Sequence, residues 1–182
     1  MNMDIFEKPA HSIQCIPGTV CKSGACVPVC PSPGTNLITN PGFENGFSPW
    51  SQQIYGANNA PSSWGIISGG DNSNNAYSVS SSAAGTGTIL SQSVSGLVPG
   101  VSYTFSYNLL WTNTPASSIS CYLSGLNSES ITSSGPVNTW VTGPTNFGGS
   151  FTATASSGTF ECYFIARGGV QTWDVDNFFI GC

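Results

Sequence analysis

Two acidic segments at opposite ends of the chain carry the residue types best suited to holding a ligand. The first, Asn36-Leu-Ile-Thr-Asn-Pro-Gly-Phe-Glu44-Asn-Gly46, reads as a short apolar strand, a Pro-Gly turn and an aromatic beside a carboxylate. The second, Trp173-Asp-Val-Asp176-Asn177-Phe-Phe-Ile180, alternates acid and apolar residues as a half-buried edge strand does. Side by side in a β-sandwich, Glu44 and Asp176 can share a hard cation such as calcium, which takes carboxylate and carbonyl oxygens. Asp71 is the third candidate ligand, because the loop Gly69-Gly-Asp-Asn-Ser73 can supply further oxygens. The plainer alternative is that Glu44 only caps backbone amides at a turn and Asp176 pairs with Arg167.

The aromatic residues raise a second kind of chemistry. Sugar rings present apolar C–H faces that pack on Trp and Tyr, while their hydroxyls bond to Asn, Gln and Ser. Most aromatics here must fill a core: Phe43, Tyr103, Phe105, Tyr107, Phe151, Phe160, Phe164 and Phe178 have the strand parity for it. Tyr55, Trp64, Trp111 and Trp173 lie near loops or strand ends and are the expected platform. The polar strand face of Thr104, Ser106 and Asn108, together with Gln92, is expected to line a groove.

Catalysis is not expected. His11 is the only histidine, far in sequence from the sandwich acids, and neither G-x-S-x-G nor H-E-x-x-H occurs. A glycosidase needs two carboxylates at a set separation. Glu129, Glu161, Asp71 and Asp174 are formally available, yet the first lies in a Ser-rich turn. Glu161 and Asp174 are read as facing solvent or binding backbone.

The elements that position these residues are all strand-like. Ser102 to Leu109 alternates strictly, with Tyr103, Phe105, Tyr107 and Leu109 on one face. Thr159 to Ala166 repeats the pattern with Phe160, Cys162 and Phe164, and Gly149 to Ala155 with Phe151 and Ala153. Further strands are expected at Trp64 to Ile67, Ala76 to Ser80, Thr88 to Val94, Ile119 to Leu123 and Glu129 to Thr132. Turn clusters separate them at sandwich spacing, and no stretch sustains a helical period. Charged residues are only 6% of the 182, with aromatics at 12%. That is far below the roughly 25% charge of ordinary domains, so hydroxyls and amides must carry solubility. With Lys8, Lys22 and Arg167 as the only bases and a net charge of −5, nucleic acid and membrane surfaces are not expected partners.

Seven cysteines with few metal partners read as an oxidised, secreted framework. The N-terminus lacks the apolar stretch of a secretory signal, so a removed signal or a start inside a longer protein is expected. Residues 1–35 form a cysteine-rich segment ending in the Pro31-Ser-Pro-Gly34 linker, read as a disulfide-held clasp. Cys121 and Cys162, in strands with similar flanks, are expected to pair. Three bridges leave one cysteine over: Cys182 is the first choice, and an intermolecular disulfide through the odd thiol is open. The alternative has Cys182 tie down the N-terminal segment, leaving one of Cys15, Cys21, Cys26 or Cys30 single.

N-L-I-x-N-P-G-F-E-x-G at the start, G-L-x-P-G-x-x-Y in the middle and D-V-D-N near the end resemble the CenC-like carbohydrate-binding modules, over residues 36–182. The resemblance implies a jelly-roll β-sandwich of two antiparallel sheets, attached in its relatives to secreted polysaccharide-degrading enzymes. It implies a structural calcium held by Glu44 and Asp176 with backbone carbonyls, Asn177 replacing a frequent second acid. It also implies packing roles for Trp50 and Trp140. The function expected is non-catalytic binding of a neutral polysaccharide such as a cell-wall glucan or xylan, the low charge arguing against acidic glycans. The competing reading is a structural or adhesive surface protein on the same sandwich.

Overall fold

The computed structural model describes residues 14–16, 18–55, 61, 63–112, 117–123, 126–131, 138–141 and 148–182. All regular structure among them is β. A hairpin of β1 (Thr19–Lys22) and β2 (Ala25–Pro28) precedes the sandwich. One five-stranded sheet runs β10 (Gly148–Thr152), β7 (Ser102–Trp111), β12 (Gln171–Gly181), β5 (Asn75–Ser81), β4 (Ser63–Ser68). The other runs β3 (Ser51–Tyr55), β6 (Gly87–Ser95), β11 (Ser157–Ala166), β8 (Ser117–Leu123), β9 (Leu126–Ile131). Every strand pairing is antiparallel. The two sheets pack as a sandwich, the all-β architecture the alternation predicts.

Period-two patterning decides which side chains meet between the sheets. From the first sheet Tyr77, Val79, Tyr103, Phe105, Tyr107, Leu109, Trp173 and Val175 point inward; from the second come Leu90, Val94, Ile119, Phe160 and Phe164. Phe178 joins the centre because β12 shifts register between Asp176 and Phe179, where Asn177 sits at φ 50°. A bulge of this kind re-aims the side chains that follow it. Phe178 then contacts Trp50 at 4.9 Å and Tyr107 at 5.7 Å between ring centroids. Trp50 is buried and donates its indole N–H to the Asn40 carbonyl at 2.9 Å, a packing role, and Trp140 is half-buried.

Cys121 and Cys162 lie directly opposite each other on β8 and β11 and form a fully buried disulfide. Cys182 is not the unpaired cysteine: it bonds Cys30. The reason lies in the strand order. Central β12 delivers Cys182 to the stretch that leaves β2, where Gly34 donates its N–H to the Cys182 carbonyl and Leu37 to that of Ile180, at 2.9 and 2.8 Å. Cys15 bonds Cys26, and the free thiol belongs to exposed Cys21.

Candidate functional site

The solvent face of the β3-β6-β11-β8 sheet is the place where exposed aromatic and polar side chains converge. Burying Cys121 and Cys162 fixes it: if these face the core, Tyr122, Glu161 and Tyr163 must face out. Register then aligns the outward residues in rows. Tyr55 lies level with Gly87 and Ile165; Gln53 with Ile89, Tyr163 and Ser120; Ser51 with Ser91, Glu161 and Tyr122. Ser93 and Thr159 make a further row. The three tyrosines thus form a diagonal across four strands. Tyr163 stands at its centre, with ring centroids 6.2 Å from Tyr55 and 5.5 Å from Tyr122, both edge-on.

Two shallow depressions lie on this sheet, one over β3, β6 and β11 and one beside Tyr55. One, of about 440 Å³, is lined by Thr39, Pro49, Ser51, Ser91, Ser93 and Thr159, mostly hydroxyls, together with the expected Gln92. The other, of about 300 Å³, is bounded by Tyr55, Gly85, Ile165 and Arg167. Glycine at position 87 keeps the floor low near Tyr55, since an added Cβ would run into the Phe164 carbonyl. Glu161 sits between tyrosines and accepts a long hydrogen bond of 3.4 Å from the Tyr163 hydroxyl. Burial first, then the Glu161 charge, pushes the Tyr163 phenol up, so the ring stays neutral and its hydroxyl remains a donor.

This arrangement offers flat apolar rings at intervals of about one sugar unit, a carboxylate that can accept from neighbouring hydroxyls, and a hydroxyl-lined depression. Among the residues whose side chains are described, Glu161 is the one carboxylate on this face; Asp71, Asp174 and Asp176 lie on or over the opposite sheet. The expected positions of Glu129 and His11 fall outside the residues whose side chains are described.

The sequence-expected platform is only partly assembled. Tyr55 belongs to the stripe and is 37% exposed. Trp111 and Trp173 do not: they are 3% and 1% exposed, because each continues the inward alternation of its strand. Trp173 packs on Phe164 at 6.4 Å. Trp64 is 52% exposed, yet it sits on edge strand β4 of the other sheet, beside a depression of about 150 Å³ with Ile66 and Ile67. Gln92 points inward, accepting from the Thr39 N–H at 2.7 Å and donating to its carbonyl at 2.8 Å. Asn108 lies on the solvent side of the other sheet and donates to Asp71 Oδ2 at 2.9 Å. Gln92 and Asn108 therefore do not share a groove. Tyr122, Tyr163 and Glu161 are the residues the platform expectation missed.

The three expected metal ligands act here as hydrogen-bond acceptors that tie down the loop before β5. Glu44 accepts from the Asn74 N–H, the Asn75 N–H and the Asn74 side-chain amide, each at 2.9 Å. These bonds, led by that of the Asn74 side chain, pull its carboxyl below the usual range. Asp176 accepts from the Asp71 and Asn177 N–H groups at 2.7 Å and from the Ser73 hydroxyl at 2.5 Å. Burial nonetheless pushes its carboxyl up, because these bonds recover only part of the desolvation. Gly42 and Gly70 let the backbone approach so closely; a Cβ on Gly70 would collide with Asp176. Calcium needs six to eight oxygens with free lone pairs, whereas these carboxylates aim theirs at N–H and O–H groups. Among the described residues no group of three Asp, Glu, His or Cys side chains forms a ligand set, so a calcium here would need backbone carbonyls beside Glu44 and Asp176.

No protein-family model matches the sequence, and no curated protein does. Solved structures do match. TmCBM61 in complex with beta-1,4-galactotriose shares a TM-score of 0.59 at 17% identity, over 81% of this chain and 98% of that one. The likeness is one of fold. The CBM22-1 xylan-binding domain of Paenibacillus barcinonensis Xyn10C aligns with a TM-score of 0.50 at 12% identity, over 82% and 95% of the two chains. The K3 adhesin domain of Lys-gingipain from Porphyromonas gingivalis W83 aligns at 0.55 and 17%, over 82% and 98%. This sandwich is thus an architecture shared with carbohydrate-binding modules.

Proposed function

We propose that the chain is a non-catalytic carbohydrate-binding module that holds a linear, neutral polysaccharide across the solvent face of the β3-β6-β11-β8 sheet. The observation that carries the reading is the diagonal Tyr55–Tyr163–Tyr122 stripe on a solvent face, with Tyr55 exposed and Tyr163 and Tyr122 half-buried, in a protein that buries most of its other aromatics. Each ring offers a face or edge to one sugar, while Glu161, Gln53 and Ser91 reach equatorial hydroxyls. A depression continues the surface beside Tyr55, and a hydroxyl-lined one lies on the same sheet over β3, β6 and β11, which suits a chain longer than the stripe. The negative net charge and Glu161 disfavour anionic glycans. Three disulfides suit a secreted setting.

The test is retention on insoluble cellulose, xylan, β-glucan and galactan, beside an assay for released reducing sugar on the same materials. The proposal expects retention on at least one without sugar release. Release would make the protein an enzyme. No retention on any of them would favour the adhesive reading, which the adhesin-domain neighbour and the exposed Cys21 thiol support.

A further inference from the structure

The β1–β2 hairpin and the residues just before it hold three cysteines, Cys15, Cys21 and Cys26, and one bond. Cys21 and Cys26 face each other directly in register, yet Cys26 is bonded to Cys15 and Cys21 carries a free, exposed thiol. The turn between them is two residues, Ser23 and Gly24, at φ 51° and 77°, the left-handed pair that closes tight hairpins. Lys22 and Ala25 are therefore the hydrogen-bonded closing pair. Cys21 and Cys26 fall on the next, non-hydrogen-bonded pair, where opposed Cα atoms approach to about 4.5 Å.

The same protein demonstrates what that placement permits. Cys121 and Cys162 are likewise directly opposed across two strands, and they close into a disulfide with Cα atoms 4.1 Å apart. Cys26 thus has two partners within bonding reach: Cys15, at a Cα separation of 5.5 Å, and Cys21 across the ladder. Access differs sharply among the three bridges. Cys26 is exposed and Cys15 half-buried, whereas Cys121 and Cys162 are sealed in the core at 0%.

We propose that the hairpin is an intramolecular thiol–disulfide exchange site with two isomers. The Cys21 thiolate attacks Sγ of Cys26; the Cys21–Cys26 bond forms as the Cys15–Cys26 bond breaks. The electron pair leaves with Cys15, which takes up through solvent the proton that Cys21 gave up. No oxidant or reductant is consumed. Exchange transfers the free thiol from Cys21 to Cys15 and opens the covalent loop between residues 15 and 26, leaving the sandwich and its Cys30–Cys182 tether unchanged. The thiolate is the attacking species, so the reaction quickens as the pH rises toward the thiol range.

Thiol counting and label localisation test this without reference to glycan binding. Wild type should titrate one thiol under native conditions. Cys15→Ser should titrate none, because Cys21 and Cys26 then close; Cys21→Ser should also titrate none. The double variant Cys15→Ser/Cys21→Ser should titrate one and serves as the control for Cys26, with melting curves checking that each variant is folded. In wild type, brief alkylation at about pH 6 should place the label on Cys21. Incubation at about pH 8.5 before alkylation should bring label onto Cys15 as well. Two free thiols in folded Cys15→Ser, or a Cys15 that never takes label at the higher pH, would overturn the proposal.

Discussion

Truncating Tyr163 to alanine should separate binding from folding more cleanly than any other change to this protein. Tyr163 is the middle ring of the stripe and touches both other tyrosines. Removing it deletes one stacking platform and the edge contacts that orient its neighbours. A central aromatic anchor commonly carries about 2 kcal/mol of binding energy, which corresponds to a loss of about 30-fold in affinity. The structural cost is smaller. Two edge contacts at about 0.5–1.5 kcal/mol each, discounted for partial exposure, come to about 1–2 kcal/mol. For a chain of this size that lowers Tm by about 2–8 °C, and stabilities of about 5–15 kcal/mol keep the variant folded at room temperature. Tyr163→Phe keeps the ring and loses only the hydroxyl that reaches Glu161 at 3.4 Å, a cost of about 1 kcal/mol or fivefold. Titration calorimetry with a soluble oligosaccharide of the retained polymer reads both. A folded Tyr163→Ala protein that binds within about threefold of wild type would refute the assignment of the stripe.

Four further outcomes are expected. Trp64→Ala should leave glycan affinity unchanged, since Trp64 lies on the other sheet; a tenfold loss by calorimetry would move the site to the β4 edge. Trp173→Ala should destabilise by about 3–5 kcal/mol, as large core truncations do, read by denaturant unfolding, and a change under 1 kcal/mol would contradict its burial. Asp176→Ala leaves the Asp71 and Asn177 N–H groups without this acceptor and the Ser73 hydroxyl with the Asn75 carbonyl alone. It should cost about 3 kcal/mol or more, from bonds to a charged group worth about 1.5–3 each. Chelation with EDTA should leave Tm unchanged, because these acids already bond to the protein; a fall of several degrees, restored by calcium, would return a metal to this loop.

The strands were legible where alternation was strict. In β7, Tyr103, Phe105, Tyr107 and Leu109 declare one face, and the same parity carries on to Trp111, which makes it a core residue and not a platform. The stripe was legible in the same way. Placing Cys121 and Cys162 inward forces Tyr122 and Tyr163 outward, a consequence of period two that proximity to loops cannot reveal. Tyr55 joins the stripe because it lies at a strand end on the same face as Tyr163. What alternation cannot encode is strand order. Only the assembled sheets put Gln92 and Asn108 on opposite sides, bring Cys182 to Cys30, and set Trp64 two strands from β12 on the wrong sheet. Glu44 and Asp176, read from sequence as sharing a cation, instead accept from the amides of Asn74, Asn75, Asp71 and Asn177, in a loop, a strand start and a bulge whose geometry the sequence does not display.

The central claim is that a glycan lies on the tyrosine face, and backbone chemical-shift mapping during titration with neutral linear oligosaccharides tests it residue by residue. The account predicts saturable shifts centred on Tyr55, Tyr163, Tyr122, Glu161 and Ser91, with β4 and the outer faces of β5 and β12 silent. Saturable shifts confined to Trp64, Ile66 and Ile67, or none with any neutral oligosaccharide, would contradict it.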